Sequence, residues 1–291
     1  MLQDRKNGER KVSLSCHGFI KMRNFLIASL LCLFECGVNA QELFLLTNPA
    51  SNVPKNTLVM RGMNSFFQRT ADNTVSYHFM PEMELGLSKR VMLIVNGFVS
   101  NENNKVNVEG GSVLAQYRFY SNDGNKQHFR MALWSRLSVN NAEIHQEEIE
   151  LNGHNTGGRI GLTGTQLLHK TAISTTVSYQ RTGSNFQNEF PVNYANKSVD
   201  YTLSVGQLVL PRVYKDFKQT NINLMIEILG QTHMSGGKSF LDIAPVVQFI
   251  FKSKSRLDIA YRRELYSDML RTQPNGVIVN YQYSFFNVQK K

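Results

Sequence analysis

The chain has 291 residues, 42% of them hydrophobic and 19% charged, with Lys and Arg outnumbering Asp and Glu to leave a net charge of +10. That is enough apolar material for one sizeable domain, and the lack of any eighteen-residue apolar run beyond the N-terminus argues against a helical membrane protein. The basic residues are scattered, which argues against nucleic acid as a partner.

The N-terminus reads as an export signal. Lys21 and Arg23 precede an apolar run from Phe25 to Phe34, and Val38-Asn39-Ala40 sets up cleavage after Ala40. Met22 stands where such a signal begins, so residues 1–40 are expected to be a non-mature N-terminus. Cys16, Cys32 and Cys36 all lie before that cut, and Leu31 and Glu35 do not suit a lipid-anchor site. A mature chain without cysteine forms no disulfide or thiolate metal site. Residues 41–56 then make a short leader, whose Pro49 and Pro54 argue against a central strand.

From Thr57 onward, alternating segments recur between turn signals. Twelve are expected, over 57–67, 75–87, 90–100, 108–120, 127–139, 156–167, 170–182, 197–209, 219–230, 238–251, 255–266 and 276–286. Short links (Ser88-Lys89, Ser121 to Lys126, Leu168-His169, Leu210 to Lys218, Lys252 to Lys254) alternate with longer ones rich in Asn, Gly and acid. The longer set is Asn101 to Val106, Asn140 to Asn155, Gly183 to Asn196, Gln231 to Gly237 and Ser267 to Asn275. In the last segment Val277, Val279, Tyr281, Tyr283 and Phe285 share one face, while Asn280, Gln282 and Ser284 share the other. An even number of such strands, tight turns at one end, long loops at the other and an aromatic closing strand predict an all-β fold. It is a transmembrane antiparallel up-and-down barrel over 57–291, set in outer-membrane lipid. The leader is expected either to plug the lumen or to rest in the periplasm.

Alternation sorts side chains between lipid and lumen. Outward in this reading are Leu241, Ile243, Val247, Phe249 and Phe251, and likewise Val199, Tyr201, Leu203 and Val205, and Ile222, Leu224, Ile226 and Ile228. Segments 57–67 and 90–100 alternate poorly and turn Val59, Met63, Met92 and Ile94 inward, which predicts local packing there. The lumen-lining charges separate by sign. Arg118, Arg130, Arg136 and Arg159 come from three consecutive strands; Asp200, Glu227, Asp242, Asp258 and Glu264 come from a later group, with Glu82 and Glu84 from the second. Two readings follow: a basic wall facing an acidic wall across a channel, or ion pairs that satisfy buried charge across a narrow lumen.

The leader and first hairpin, Asn48-Pro49-Ala50, Pro54-Lys55, Met80-Pro81-Glu82-Met83-Glu84 and Gly86-Leu87-Ser88-Lys89-Arg90, resemble the outer-membrane barrels associated with phenol-degradation operons. The resemblance covers roughly residues 48–97 and implies a porin-like transporter with no catalytic residues to carry over. It departs where a Gly commonly follows Pro-Lys and Asn56 stands here. Asn-Pro-Ala is also similar to the hatch of outer-membrane hydrophobe transporters. The function expected is passive passage of small solutes without a cofactor. The alternatives are a non-conducting barrel that is structural or binds through its loops, an outer-membrane enzyme, or a secreted β-sandwich. His233-Met234-Ser235-Gly236-Gly237 resembles the serine context of an outer-membrane phospholipase only superficially and reads better as a glycine turn. Gly236-Gly237-Lys238-Ser239 echoes the end of a phosphate loop, but Thr232 stands where its first Gly belongs. His145 with Glu143, Glu147 and Glu148 offers metal-ligand chemistry, but with no second close His a solvated acidic loop is the expectation. His78, His128, His154 and His169 show no ligand spacing.

Overall fold

Twelve strands, each antiparallel to the next, form a closed barrel in the computed structural model, which describes residues 44–101, 105–124, 127–211 and 219–288. The export signal, Gln41 to Leu43 of the leader and most of the 210–218 link lie outside the described residues. The strands are β1 (Leu58–Gln68), β2 (Val75–Gly86), β3 (Val91–Ser100), β4 (Asn107–Gly124), β5 (Gln127–Asn140) and β6 (Gly157–Leu168). They continue as β7 (Thr171–Thr182), β8 (Lys197–Leu210), β9 (Asn221–His233), β10 (Ser239–Phe251), β11 (Ser255–Ser267) and β12 (Asn275–Phe285). Closure is made by β1 against β12, from Leu58 opposite Phe285 to Gln68 opposite Asn275. This pairing satisfies the two rows of backbone groups that an open sheet would leave exposed.

The period of two that marks each strand becomes an inside and an outside. Val113, Leu133, Leu162, Val177, Leu203, Ile226, Val247, Ile259 and Val277 are exposed on the outer surface around the barrel. Exposed aromatics flank this aliphatic band: Phe119, Phe129, Phe251, Tyr283 and Phe285 towards the short turns, and Phe66, Tyr179 and Tyr266 towards the long loops. An aliphatic belt between aromatic girdles is the surface a bilayer-spanning barrel presents. On β12, Ile278, Asn280, Gln282 and Ser284 point inward and are buried.

Two expected boundaries move. Ser121 to Asp123 continue β4, paired opposite Arg130 to His128, because Asp123 accepts from His128 (2.8 Å) and Arg130 (3.1 Å) across the hairpin. Polar residues that read as a turn are held in the ladder by these cross-strand pairs. Gln231 to His233 likewise extend β9, paired with Ser198 to Asp200 of β8, with Gln231 and His233 buried inside. The glycine turn shrinks to Gly236 and Gly237, whose φ values of 78° and 67° suit glycine.

Replacing Ile226, exposed at the middle of β9, with Arg is predicted to lower unfolding free energy in lipid vesicles by about 2–4 kcal/mol. Urea titration of the vesicle-inserted protein measures this; a solvent-facing position would show less than about 0.5 kcal/mol.

Candidate functional site

The lumen is occupied from both ends. From the short-turn end the leader enters, and the Glu227 carboxylate on β9 receives its backbone: the N–H groups of Leu45 (2.8 Å), Leu46 (3.0 Å) and Thr47 (2.9 Å) all donate to it. The Ser204 hydroxyl donates to the same carboxylate at 3.2 Å. The sheet wall completes the seat. Arg61 donates to the Leu45 carbonyl (3.1 Å), the Ala50 N–H to Thr165 Oγ1 (2.9 Å), and Gln116 to the Pro49 carbonyl and Asn52 Oδ1 (3.0 Å each). A chain that forms no strand needs other partners for its buried backbone, and polar lumen side chains supply them.

Apolar packing fixes the same segment. Phe44 and Leu45 sit among Ala172, Met225, Val246, Ala260 and Ile278. Val53 packs with Val59, Met92, Ile94, Leu114 and Trp134, so the poorly alternating inner faces of β1 and β3 receive the leader's side chain. The leader joins β1 through a turn in which the Asn56 N–H donates to the Gly86 carbonyl (3.0 Å) and the Gly86 N–H to the Thr57 carbonyl (3.1 Å). A Cβ on Gly86 would lie 2.0 Å from the Pro54 carbonyl oxygen, so only glycine fits. Asn56, which stands where glycine is common in the resembling barrels, has a φ of 60°, a left-handed conformation asparagine tolerates.

At the opposite end the 141–156 loop folds inward. The Ile149 N–H donates to Gln231 (2.9 Å), and its carbonyl accepts from Gln231 (2.9 Å) and Gln180 (2.8 Å). Glu148 is buried between Arg262 (3.0 Å) and Arg271 (2.7 Å). The same arginines hold Asp242, at 2.7 Å each, and Arg271 also reaches Glu264 at 2.9 Å. Burial alone would push the Glu148 carboxyl up, but the Arg271 and Arg262 guanidiniums outweigh it and hold it down at about 2. Lys238 pairs with Glu147 at 2.6 Å, tying the loop to the β9–β10 turn.

The expected lining residues therefore divide. Glu82, Glu84, Arg136, Asp200, Glu227, Asp242 and Asp258 are buried inside, and Arg130, Arg159 and Glu264 are partly buried. Arg118 is also partly buried, on the same face of the sheet as the buried Ala132 opposite it, and at the short-turn end it donates to the Lys89 carbonyl (2.6 Å). Of the two arrangements open from sequence, the described ion pairs follow the second, with cations set among the acids. Arg61 reaches Glu82 (3.1 Å) and Glu84 (3.4 Å), Arg159 reaches Asp200 (2.9 Å), and Arg256 reaches Asp258 (2.9 Å). Burying an unpaired charge costs far more than burying a pair, which explains this pattern.

Sequence reasoning missed Arg61, Arg256, Arg262 and Arg271. The parity of Asp258 and Glu264 marks Arg256 and Arg262 as inward, whereas Arg271 sits in a loop where parity is silent. The acidic-loop residues do not converge: His145 pairs with Glu143 at 3.0 Å, while Glu147 and Glu148 bind cations elsewhere. Among the described residues, no group of three or more His, Cys, Asp or Glu is placed to hold a metal ion. His78 and His154, far apart in sequence, bring their rings to 5.3 Å.

Between leader and loop two cavities remain, of about 160 and 80 Å³, which share Leu46, Met63, Met80, Asn152, Arg159 and Thr202 as lining. With this geometry in hand, comparison with solved structures gives an outer-membrane channel from Pseudomonas putida F1. That protein is 11% identical over 83% of this chain and all of its own length, with a TM-score of 0.55. The two share a fold. A KdgM porin (14% identity, 79% of this chain and 99% of that one, TM-score 0.46) and a NanC porin (10%, 79% and 98%, 0.45) are more distant in shape. No protein-family model matches the chain, and no curated protein matches it in sequence.

The Glu148 carboxyl is depressed from 4.5 to about 2, so its hold on the loop is complete above pH about 4.5 and is lost as pH falls through about 2. Pepsin is predicted to spare the 141–156 loop at pH 4 and cut it near pH 2. At pH 7, Glu148→Gln is predicted to speed cleavage of this loop by a glutamate-specific protease at least tenfold. Equal rates for variant and wild type would show that the arginine clamp does not seat the loop.

Proposed function

We propose that the chain is an outer-membrane, porin-like passive channel for small solutes, narrowed by its own leader and its 141–156 loop. The observation that carries this reading is the contrast between the two faces of the barrel. The outside is an aliphatic belt, while the inside is polar, charged and hydrogen-bonded around two cavities that share lining residues. A barrel that served only as a membrane anchor could fill twelve strands' worth of interior with apolar side chains, whereas solute passage needs polar groups that replace lost hydration. The fold shared with an outer-membrane channel supports the same reading. Passage is diffusion down a gradient with no covalent step and no cofactor.

In this reading residues 1–40 are removed on export, the short turns face the periplasm, and residues 41–56 form the plug. The 141–156 loop covers the path from outside. The residues that resemble the phenol-operon barrels include the seat of this plug: Pro54 and Gly86 touch, and Asn56 adopts the conformation that glycine has no difficulty reaching. A second reading, a non-conducting barrel that presents its long loops, is favoured by one observation, the double occupancy of the lumen.

Planar-bilayer recording of residues 41–291 is predicted to give small, stable steps. A chain lacking residues 41–56, or carrying Glu227→Ala, is predicted to give steps at least threefold larger. Insertion of all three proteins without conductance would favour the non-conducting barrel.

A further inference from the structure

The outer surface carries a charge pattern that the lumen does not explain. In the lipid-facing rows of the described strands the charged residues are Arg181 on β7, Lys197 on β8 and Arg263 on β11, all exposed. All three are cations, and all three stand towards the long-loop end of their strands. A cation on the lipid face is costly at the middle of a bilayer and tolerated near its surface, so this placement sets the three at the level of the lipid headgroups.

Two of them are neighbours. Arg181 and Lys197 stand directly opposite one another across the β7–β8 ladder. Like charges so placed repel, and neither side chain makes an ion pair or hydrogen bond among the described residues. The flanking positions supply no anion: Gly158 of β6 stands opposite Arg181, and on the other side the Met234 N–H donates to the Lys197 carbonyl (3.0 Å). Glu189, the acid of the 183–196 link between the two strands, is exposed and pairs with neither. Inside the barrel cations are set among carboxylates; here two cations are set against each other.

Towards the middle of the barrel the same two strands present Tyr179 beside Val199, then Val177 beside Tyr201. Val177, Tyr179 and Tyr201 are exposed. A cation pair above an apolar wall matches a lipid, with the charged head on the cations and the acyl chains on the wall. The charge selects the head. A phosphate monoester carries about −1.5 to −2 at neutral pH and balances two cations, whereas the phosphodiester of a common phospholipid carries a single charge. Arg offers paired N–H donors to phosphate oxygens, and Lys adds a point charge. We infer that Arg181 and Lys197 form a binding site for an outer-leaflet lipid whose headgroup bears a phosphate monoester, as the phosphorylated disaccharide of lipid A does, with its acyl chains along Val177, Tyr179, Val199 and Tyr201. This rests on the orientation proposed above, with the long loops outside. Arg263 stands opposite Ile243 rather than a second cation, so it marks the headgroup level without making such a site.

Native mass spectrometry of the detergent-solubilised protein, titrated with diphosphoryl lipid A, measures the binding. A first molecule is predicted to be retained at a half-saturating concentration at least tenfold below that of the same lipid stripped of its phosphates, or of phosphatidylglycerol. Arg181→Gln and Lys197→Gln are each predicted to raise that concentration at least fivefold. Arg263→Gln, the same loss of charge elsewhere on the lipid face, is predicted to raise it less than twofold, with heat-modifiable gel migration reporting that all three variants fold. No retained lipid A, equal retention of phosphatidylglycerol or of the dephosphorylated lipid, an unchanged titration in folded Arg181→Gln, or an equal effect of Arg263→Gln would each overturn the site. The orientation is read separately: on intact cells a membrane-impermeant maleimide is predicted to label Val192→Cys, a fully exposed position on the link between β7 and β8. Labelling only after the cells are broken would overturn the outer leaflet as the source of the lipid, whatever the titration shows.

Discussion

Everything in this structure depends on the pairing of β1 with β12. A bilayer offers no water to backbone N–H and C=O groups, so a sheet that spans it must have no edge. Closure by the last strand on the first meets that demand, and it commits each inward side chain of twelve strands to one shared interior. The composition of that interior is then the problem the rest of the chain solves.

The solution is local neutralisation together with filling. Each buried carboxylate cluster has a guanidinium set into it, from Arg61 on the β1–β2 wall to Arg271 at the long-loop end. Glu227 is handled differently, by three backbone N–H groups and a hydroxyl, so the leader's seat and the solvation of that carboxylate are one structural fact. The loop at the other end repeats the logic with the signs shared: Glu148 enters on the loop and finds two arginines waiting.

Much of the fold is legible in the sequence because strand periodicity is a property of neighbouring residues. The parity of Asp200, Glu227, Asp242 and Asp258 places all four inside, and each strand's existence follows from its own alternation. The interior arrangement is less legible, since it depends on residues far apart in the chain. Nothing in Leu45-Leu46-Thr47 announces that their amides meet a glutamate some 180 positions away. The loop Glu143 to Glu150 reads as solvated acid because its partners, Arg262 and Arg271, are more than a hundred residues distant.

The most direct test of the account is whether the leader sits inside the closed barrel. Residues 41–291 contain no cysteine, so a pair can be introduced as Ala50→Cys with Thr165→Cys, where the Ala50 N–H now meets Thr165 Oγ1 at 2.9 Å. Mild oxidation of the folded protein in detergent is predicted to cross-link this pair as completely as Thr163→Cys with Thr176→Cys, neighbours across β6 and β7. A chain in which the strand pair cross-links while the leader pair stays reduced would contradict the account.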